Sequence, residues 1–423
     1  MPALIKANHI VLDGVTLSWA EMLDAPESVE LVRSIGSIGA PVAIVVEGPR
    51  VAFCAVAVLA STQHDGLVLS RDRLTPSVTE LLSHSGFVLL DAMTGAGTLA
   101  GTNAPPVRGR VSLLTSGTTG TPKLVSHRWD TLFTGRDLCK QEERRWLVPY
   151  QIGSYAWYQV MTLGLFQDGQ TLVPADPADM PRLFDAAVAA RVDSISATPT
   201  FWRLALLSVP DEKLRALSLR VVTLGGETAT QDILDALRSL YPAAQLTHIY
   251  ATSEAGACIV VKDGAAGFPA SFLQRDDAAL PQISVTDGKL RVRSPFSSRA
   301  AENHAGEWID TGDRVEQRGD RVFFTGRDNT AMINVGGNKA WPSDIEAALL
   351  RHPATAWARV RAVRSPLVGQ LPEADLVFIP GCVPPSEMEL VEFCKDKLPE
   401  YAIPRLWNVL PEIPVQDSLK SAL

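Results

Sequence analysis

The sequence lacks the features that mark several specialised classes of protein. Its 423 residues include only five cysteines, without a Cys-x-x-Cys pair, which argues against a disulfide framework or a structural zinc site. The formal net charge is −8 without a block of like charge, so we expect no nucleic-acid partner. The longest strongly apolar run, residues 51–60, is too short to span a bilayer, and the N-terminus has no signal-peptide pattern. We therefore expect a cytoplasmic protein without a membrane span.

Apolar stretches of strand length alternate with longer helical patterns along most of the chain. Buried strands are predicted at residues 42–48, 86–92, 111–116, 194–198, 220–226 and 245–252. Between the last two, Ile233, Leu237 and Leu240 share one helical face. Thr228 and Gln231 form a capping-box pattern before them. This rhythm predicts an α/β fold with substantially parallel sheets.

The composition changes near residues 324–338, which are rich in glycine and polar residues and suit a hinge. A helix is predicted to begin at Pro342, with Ser343 and Glu346 as a capping box, and a second capped helix at Ser386. Strand-like stretches lie between the two helices. We therefore predict a large N-terminal domain of parallel-type α/β subdomains, residues 1–327, and a small mobile C-terminal α+β domain, residues 328–423.

A loop in the segment LLTSGTTGTPKLVSH, residues 113–127, has the composition of a phosphate-binding site. Glycine lets backbone N–H groups approach phosphate oxygens closely, and hydroxyl groups and one lysine add donors and charge. The spacing is not that of the Walker motif. The predicted phosphate-binding residues are Thr115, Ser116, Gly117, Thr118, Thr119, Gly120, Thr121 and Lys123.

This segment closely resembles the signature loop of the adenylate-forming superfamily, which includes acyl- and aryl-CoA synthetases, peptide-synthetase adenylation domains and luciferases. Further motifs follow in the order of the family: YATSEAG (residues 250–256), WIDTGDRV (308–315), FTGR leading into INVGGNK (324–339), and LPEYAIP with a lysine near the end (398–420). The resemblance covers residues from about 110 to 423, whereas the preceding part matches weakly.

The resemblance implies a role for one residue in each of the later motifs. Glu254 would hold Mg²⁺, together with Thr118 of the loop, since Mg²⁺ prefers oxygen ligands. Asp313 would bind the ribose hydroxyls and Arg327 the ribose or phosphate. Lys420, six residues after Pro414, matches the catalytic lysine. The other implied nucleotide-binding residues are Gly225, Gly226, Glu227, Tyr250, Ala251, Thr252 and Ser253.

The chain departs from the family pattern at several positions. Ala251 stands for glycine and Ser253 for threonine, while near the end Gln416 stands for threonine and Leu419 for glycine. Gly336 and Gly337 match the loop that lines the channel for the thiol, but eight residues separate them from Gly326-Arg327, one more than expected. The hinge residue is therefore open among Asp328, Asn329 and Thr330.

The resemblance also locates the wall of the acid-binding pocket. The implied pocket residues are Gln151, Tyr155, Trp157, Thr198 and Gly226. Peptide-synthetase domains carry an aspartate for the α-amino group in the segment that corresponds to residues 148–159, and this segment contains none. Burial of an ammonium without a counter-charge is costly. The sequence therefore favours an aryl or short to medium acyl acid over an α-amino acid.

The implied activity is that of an AMP-forming acid–thiol ligase. A carboxylic acid and ATP would give acyl-AMP and pyrophosphate, and coenzyme A (CoA) would then accept the acyl group. The sequence leaves two alternatives open. In the first alternative, the acyl group passes to the phosphopantetheine arm of an acyl carrier protein. In the second alternative, the chain is a degenerate member of the family that binds nucleotide or acyl ligand without turnover.

Overall fold

The structure is a computed structural model that describes residues 2–94, 97–99, 105–116, 122–134, 142–298, 306–327, 332–416 and 420–421. Its strands are β1 (His9–Leu12), β2 (Val15–Ser18), β3 (Val42–Val46), β4 (Gly66–Ser70), β5 (Val88–Asp91), β6 (Gly97–Leu99), β7 (Arg110–Ser116), β8 (Pro122–Arg128), β9 (Arg144–Val148), β10 (Gln170–Pro174), β11 (Ser194–Ala197), β12 (Val221–Gly225), β13 (Gln245–Thr252), β14 (Gly256–Val261), β15 (Phe268–Pro269), β16 (Gln282–Thr286), β17 (Lys289–Arg293), β18 (Ile309–Arg318), β19 (Arg321–Arg327), β20 (Ile333–Val335), β21 (Asn338–Ala340), β22 (Thr355–Ser365), β23 (Gly369–Phe378) and β24 (Leu406–Val409). Its α-helices are α1 (Trp19–Asp24), α2 (Pro26–Gly36), α3 (Gly48–Thr62), α4 (Pro76–His84), α5 (Trp129–Leu132), α6 (Tyr155–Phe166), α7 (Met180–Ala189), α8 (Pro199–Ser208), α9 (Asp211–Arg215), α10 (Gln231–Leu240), α11 (Pro342–Leu349) and α12 (Glu387–Lys395).

Two sheets of mainly parallel strands form the large domain. The first has the order β14-β13-β12-β11-β9-β10-β1-β2, with antiparallel strands β14 and β2 at its edges. The second has the order β6-β5-β3-β4-β7-β8, with antiparallel β6 and β8 at its edges. Inner parallel strands are covered on both faces, which is why β3 is buried at every residue. The predicted α/β class is confirmed, and each predicted strand lies within two residues of its expected bounds.

Two apolar helices pack between these sheets. Residues 51–60 of α3 are all buried, and Phe53 meets Trp157 of α6 edge to face at 6.5 Å. A helix that is apolar on every side belongs in the interior of a protein, so the longest apolar run forms core. Within the described ranges, we find no helix with the length and apolar character needed to cross a membrane.

Two further sheets complete the chain. Antiparallel strands in the order β15-β19-β18-β17-β16 form the third sheet, which carries Asp313 and Arg327. The C-terminal sheet has the order β21-β20-β23-β22, with β24 parallel to β23, and packs with α11 and α12 around a core of its own. A small C-terminal α+β domain is thus confirmed. Its boundary at residue 328, the hinge candidates and the mobility of the domain stay predictions, and residues 328–331 lie outside the described residues.

The capping predictions have mixed outcomes. The box at Ser386 and Glu389 is present. The box at Thr228 is wrong, since α10 begins at Gln231 after Thr230 and has no side-chain cap. The box at Ser343 is also wrong, because the Ser343 hydroxyl instead donates to the Thr325 carbonyl of β19, 3.0 Å away. A contact between the two domains has replaced the local cap.

Candidate active site

The carboxyl ends of three neighbouring parallel strands, β11, β12 and β13, lie along one edge of the first sheet. Thr198 follows β11, Gly226 and Glu227 follow β12, and Glu254 lies just after β13. Open α/β sheets bind ligands in the crevice outside the carboxyl ends of their strands. These four residues line a cleft of about 2120 Å³.

Most of the residues predicted from sequence converge on this cleft. Those that line it are Thr115, Lys123, Gln151, Tyr155, Thr198, Gly225, Gly226, Glu227, Tyr250, Ala251, Thr252, Ser253, Glu254, Asp313, Arg327 and Lys420. Gly117, Thr118, Thr119, Gly120 and Thr121 lie outside the described residues, and only the backbone of Ser116 is described. Residues from both domains and from three sheets therefore share one cavity.

One end of the cleft is built around the carboxylate of Asp313. Tyr250 donates its hydroxyl proton to Oδ2 at 2.6 Å, and Arg327 donates from Nε to Oδ1 at 2.9 Å. The Tyr250 ring stacks on Phe324 at 4.7 Å. Burial, then the Asp313 charge, holds the pKa of Tyr250 far above its ordinary value, so the hydroxyl remains a donor. A fixed carboxylate beside aromatic rings is suited to a ribose and its base.

The hairpin of β7 and β8 flanks the predicted phosphate loop. Thr115 and Lys123 pair across this hairpin and both line the cleft. Further along β8, Nε2 of buried His127 lies 2.6 Å from the Ser253 carbonyl. A carbonyl can only accept a hydrogen bond, so Nε2 carries the proton. Burial lowers the pKa of His127 to about 4, and the neutral ring ties the hairpin to the segment before Glu254.

Glu254 is suited to a cation. It is an exposed residue at the cleft, and its carboxylate has neither a hydrogen bond nor an ion pair with any described residue. Mg²⁺ usually binds one or two carboxylates together with substrate phosphates. Within the described ranges, no group of three or more His, Cys, Asp and Glu side chains is arranged for a metal. The donor set therefore fits a metal that arrives with a nucleotide.

Lys420 enters the cleft from the C-terminal tail. A Cβ atom on Gly226 would lie 3.0 Å from Lys420 Cε, and Gly226 has a φ of +84°, so glycine provides both the turn and the space. Burial lowers the pKa of Lys420 below its ordinary value, the Glu227 carboxylate opposes this, and Arg327 adds to it. The lysine thus lies among the groups that were predicted to bind the nucleotide.

Another part of the cleft lies beside α6, which begins at Tyr155. Tyr155, Gln159, Thr134 and Cys258 line this part. The hydroxyl oxygen of Tyr155 is buried and has no hydrogen-bond partner among the described residues. Burial raises the pKa of the Cys258 thiol to about 12, so the thiol is neutral. This part of the cleft is therefore lined mainly by uncharged side chains.

Two predicted groups of residues lie elsewhere. Trp157 is a core residue packed against Tyr158 at 5.0 Å and does not line the cleft. It follows Tyr155 by two positions, which places it on roughly the opposite side of α6, so its assignment to the pocket is wrong. Gly336 and Gly337 form the turn between β20 and β21, outside the cleft in this arrangement.

Several cleft residues escaped the sequence reasoning. Thr134, Gln159 and Cys258 have no motif that identifies them, and only the fold brings them to Tyr155. Arg203 of α8 is held by Thr230 and by Asp232, and it donates to the Ala356 carbonyl of the C-terminal domain at 3.2 Å. The sequence around Arg203, which follows the ATPTFW segment, contains no motif that predicts a contact between the domains.

Comparison with known proteins identifies relatives over most of the chain. The family model described as AMP-binding enzyme matches residues 39–290, and the one described as AMP-binding enzyme C-terminal domain matches residues 344–420. A 2-succinylbenzoate–CoA ligase of Bacillus licheniformis is 27% identical over 329 residues, which are 73% of this chain and 67% of the relative. The chain thus spans about two thirds of the length of that relative.

Solved structures of the same fold cover nearly all of the chain. An anthranilate CoA ligase in complex with anthranoyl-AMP matches with a TM-score of 0.75 at 15% identity, covering 100% of this chain and 96% of that one. An o-succinylbenzoate CoA synthetase from Bacillus subtilis, in complex with ATP and magnesium ion, matches with a TM-score of 0.70 at 19% identity, covering 98% and 95%. At these identities the likeness shows the fold.

Proposed function

The chain belongs to the AMP-binding enzyme family, and from the geometry of its cleft we propose that it is an AMP-forming acid–thiol ligase. It would activate a carboxylic acid with ATP and pass the acyl group to CoA. The observation that supports this best is the meeting of Lys420, Glu254 and the Asp313–Arg327 pair in one cleft. We place the reaction in the cytoplasm, where ATP and CoA are available.

In the first half-reaction the carboxylate attacks the α-phosphorus of ATP, and the bond to the leaving pyrophosphate breaks. A carboxylate is ionised at pH 7, so the protein has to position two anions and offset their charge. Asp313 and Tyr250 would hold the ribose and base, and the 115–123 loop the outgoing phosphates. Glu254, with Thr118, would hold Mg²⁺, which supplies charge neutralisation at the phosphates.

Lys420 would act at the α-phosphate and the incoming carboxylate. Its ammonium offsets the negative charge that builds up as the phosphorus–oxygen bond forms. Lys123 would serve the outgoing phosphates and not the reacting centre. The catalytic role then belongs to the lysine of the tail, which a mobile domain carries.

In the second half-reaction the thiol attacks the acyl carbon, and AMP leaves. We propose that the C-terminal domain rotates between the two half-reactions, which would withdraw Lys420 and make room for the thiol. The turn at Gly336 and Gly337 would then line the thiol channel. Domain motions of this type often limit turnover.

The acid would be an aryl or short to medium acyl acid. The side chains around Tyr155 are uncharged and partly aromatic, and relatives with this fold include ligases of 2-succinylbenzoate and anthranilate. The segment of residues 148–159, which corresponds to the segment that carries the aspartate for the α-amino group in peptide synthetases, contains no aspartate of its own. The pocket therefore supports an aromatic acid best.

The test is pyrophosphate exchange into ATP with a panel of aryl, acyl and α-amino acids, followed by thioester formation with CoA or with a phosphopantetheinylated carrier protein. We expect exchange with an aryl acid and thioester with CoA. Thioester with the carrier protein alone would establish the alternative acceptor. ATP binding without exchange for any acid would contradict the ligase proposal and favour a non-catalytic binder.

A further inference from the structure

Glu227 is joined to the tail that carries Lys420. Its Oε1 accepts a hydrogen bond from the Ser421 N–H at 2.8 Å, and its Oε2 accepts one from the Thr200 N–H at 3.0 Å. Glu227 follows β12 in the large domain, while Ser421 is adjacent to Lys420 in the tail. One carboxylate thus connects the tail to the edge of the first sheet.

We propose that Glu227 is a positioning residue for acyl-AMP formation, which fastens the tail so that Lys420 reaches the cleft. This assignment rests on the proposed ligase function. It differs from the nucleotide-binding role that the sequence suggested for Glu227, and it rests on the two backbone N–H groups from which the carboxylate accepts hydrogen bonds.

The large-domain side of this connection is the start of α8. Thr200 is the second residue of α8, so its N–H is one of the free donors at the start of the helix. The positive end of the helix dipole also favours a carboxylate there. Glu227 therefore accepts one hydrogen bond from the start of α8 and another from the tail.

The tail also packs against the large domain further upstream, where Ile413 shares an apolar cluster with Leu204 and Leu207 of α8. The tail folds back on itself through a bridge between Val415 and Ser421, with the Gln416 N–H donating to the Lys420 carbonyl at 2.8 Å. That bridge shapes the tail but does not attach it to the large domain. The Ser421–Glu227 bond supplies the attachment next to the lysine.

The same carboxylate acts on the Lys420 ammonium. The charged groups that affect the pKa of Lys420 are Glu227, which raises it, and Arg327, which lowers it and is itself paired with Asp313. While Lys420 stays in the cleft, the Glu227 carboxylate therefore favours the charged form of the lysine.

The experiment compares the two half-reactions in the full chain. For Glu227→Gln we expect pyrophosphate exchange to fall about ten- to a hundredfold, as for loss of a hydrogen bond to a charged group. Thioester formation from preformed acyl-AMP should change far less. Glu212→Gln on exposed α9 is the matched control and should leave both rates unchanged. Equal loss in both half-reactions, or no loss in either, would overturn the proposal.

A second pair of variants removes the donor instead of the acceptor. Ser421→Pro lacks the backbone N–H, whereas Ser421→Ala retains it. Position 421 is outside the buried core, so we expect both variants to fold. We expect exchange at least about tenfold lower for Ser421→Pro than for Ser421→Ala. Adding Glu227→Gln to Ser421→Pro should cause little further loss, since both act through one bond. Equal rates for the two Ser421 variants would refute the attachment.

Trypsin supplies a readout that does not depend on activity. Cleavage after Lys420 releases the last three residues, which mass spectrometry detects. A buried, attached lysine is protected, so Glu227→Gln should be cleaved about tenfold faster than the wild-type chain. Unchanged cleavage would overturn the positioning role even if the wild-type chain lacked exchange activity, whereas faster cleavage without exchange would contradict only the ligase function.

Discussion

Substitution of Gly226 by alanine tests whether the position of Lys420 controls acyl-AMP formation. The new Cβ would lie 3.0 Å from Lys420 Cε, but an ordinary 3.6 Å from Lys420 Nζ and from Thr198 Cγ2. The end of the lysine must therefore move by a few tenths of an ångström. A misplacement of 1 Å at a reacting centre costs about a hundredfold. We expect Gly226→Ala to lower the exchange rate about tenfold, or about 1.4 kcal/mol in activation free energy.

Substitution of Gly226 by alanine also strains the backbone, and this strain has to be separated from the displacement of Lys420. At a φ of +84°, alanine is strained by about 1–2 kcal/mol. Gly381 in the C-terminal domain has a φ of +83°, and a Cβ added there would meet no atom of the described residues within 4 Å. Gly381→Ala is therefore a control with the same strain and without the contact.

The assays are pyrophosphate exchange, thioester formation from preformed acyl-AMP, and thermal unfolding of both variants. Both should show a similar fall in stability, and only Gly226→Ala should lose exchange selectively. If Gly226→Ala and Gly381→Ala retained the same exchange rate, the contact between Gly226 and Lys420 would have no part in catalysis. Equal loss in both half-reactions would refute the selective role.

Three further substitutions address the other parts of the cleft. Lys420→Ala should lower exchange by about a hundred- to a thousandfold and spare thioester formation from acyl-AMP, and equal loss in both would refute its role. Because burial lowers the pKa of Lys420, wild-type exchange should also decline with rising pH below the pH at which an ordinary lysine loses its proton. Glu254→Gln should raise the Mg²⁺ concentration needed for half-maximal exchange, and an unchanged requirement would remove Glu254 from the metal site. Asp313→Asn should raise the KM for ATP about tenfold through loss of the charged acceptor for ribose and for Arg327, and an unchanged KM would place the ribose elsewhere.

Part of the candidate site could be predicted from the sequence because its residues belong to short motifs. The 113–127 segment has the residue types of a phosphate-binding loop, and resemblance to the adenylate-forming superfamily implied the roles of Glu254, Asp313 and Arg327. The structure brings the described members into one cleft. Other positions were beyond that reasoning. Trp157 has the aromatic character of a pocket residue, but the helical period turns it into the core.

The sequence by itself determined the α/β class, the small C-terminal domain and the AMP-binding family, because periodicity and short motifs are properties of neighbouring residues. Only the tertiary structure decided what meets across the chain. It brought Ser421 to Glu227, 194 residues apart, and Arg203 to Ala356, 153 residues apart. Such contacts depend on how strands and domains pack, and no local pattern records them. The physical reason is that the residue type of a loop carboxylate does not show whether it binds a nucleotide or positions a lysine. Its partners are set by the three-dimensional packing of distant segments.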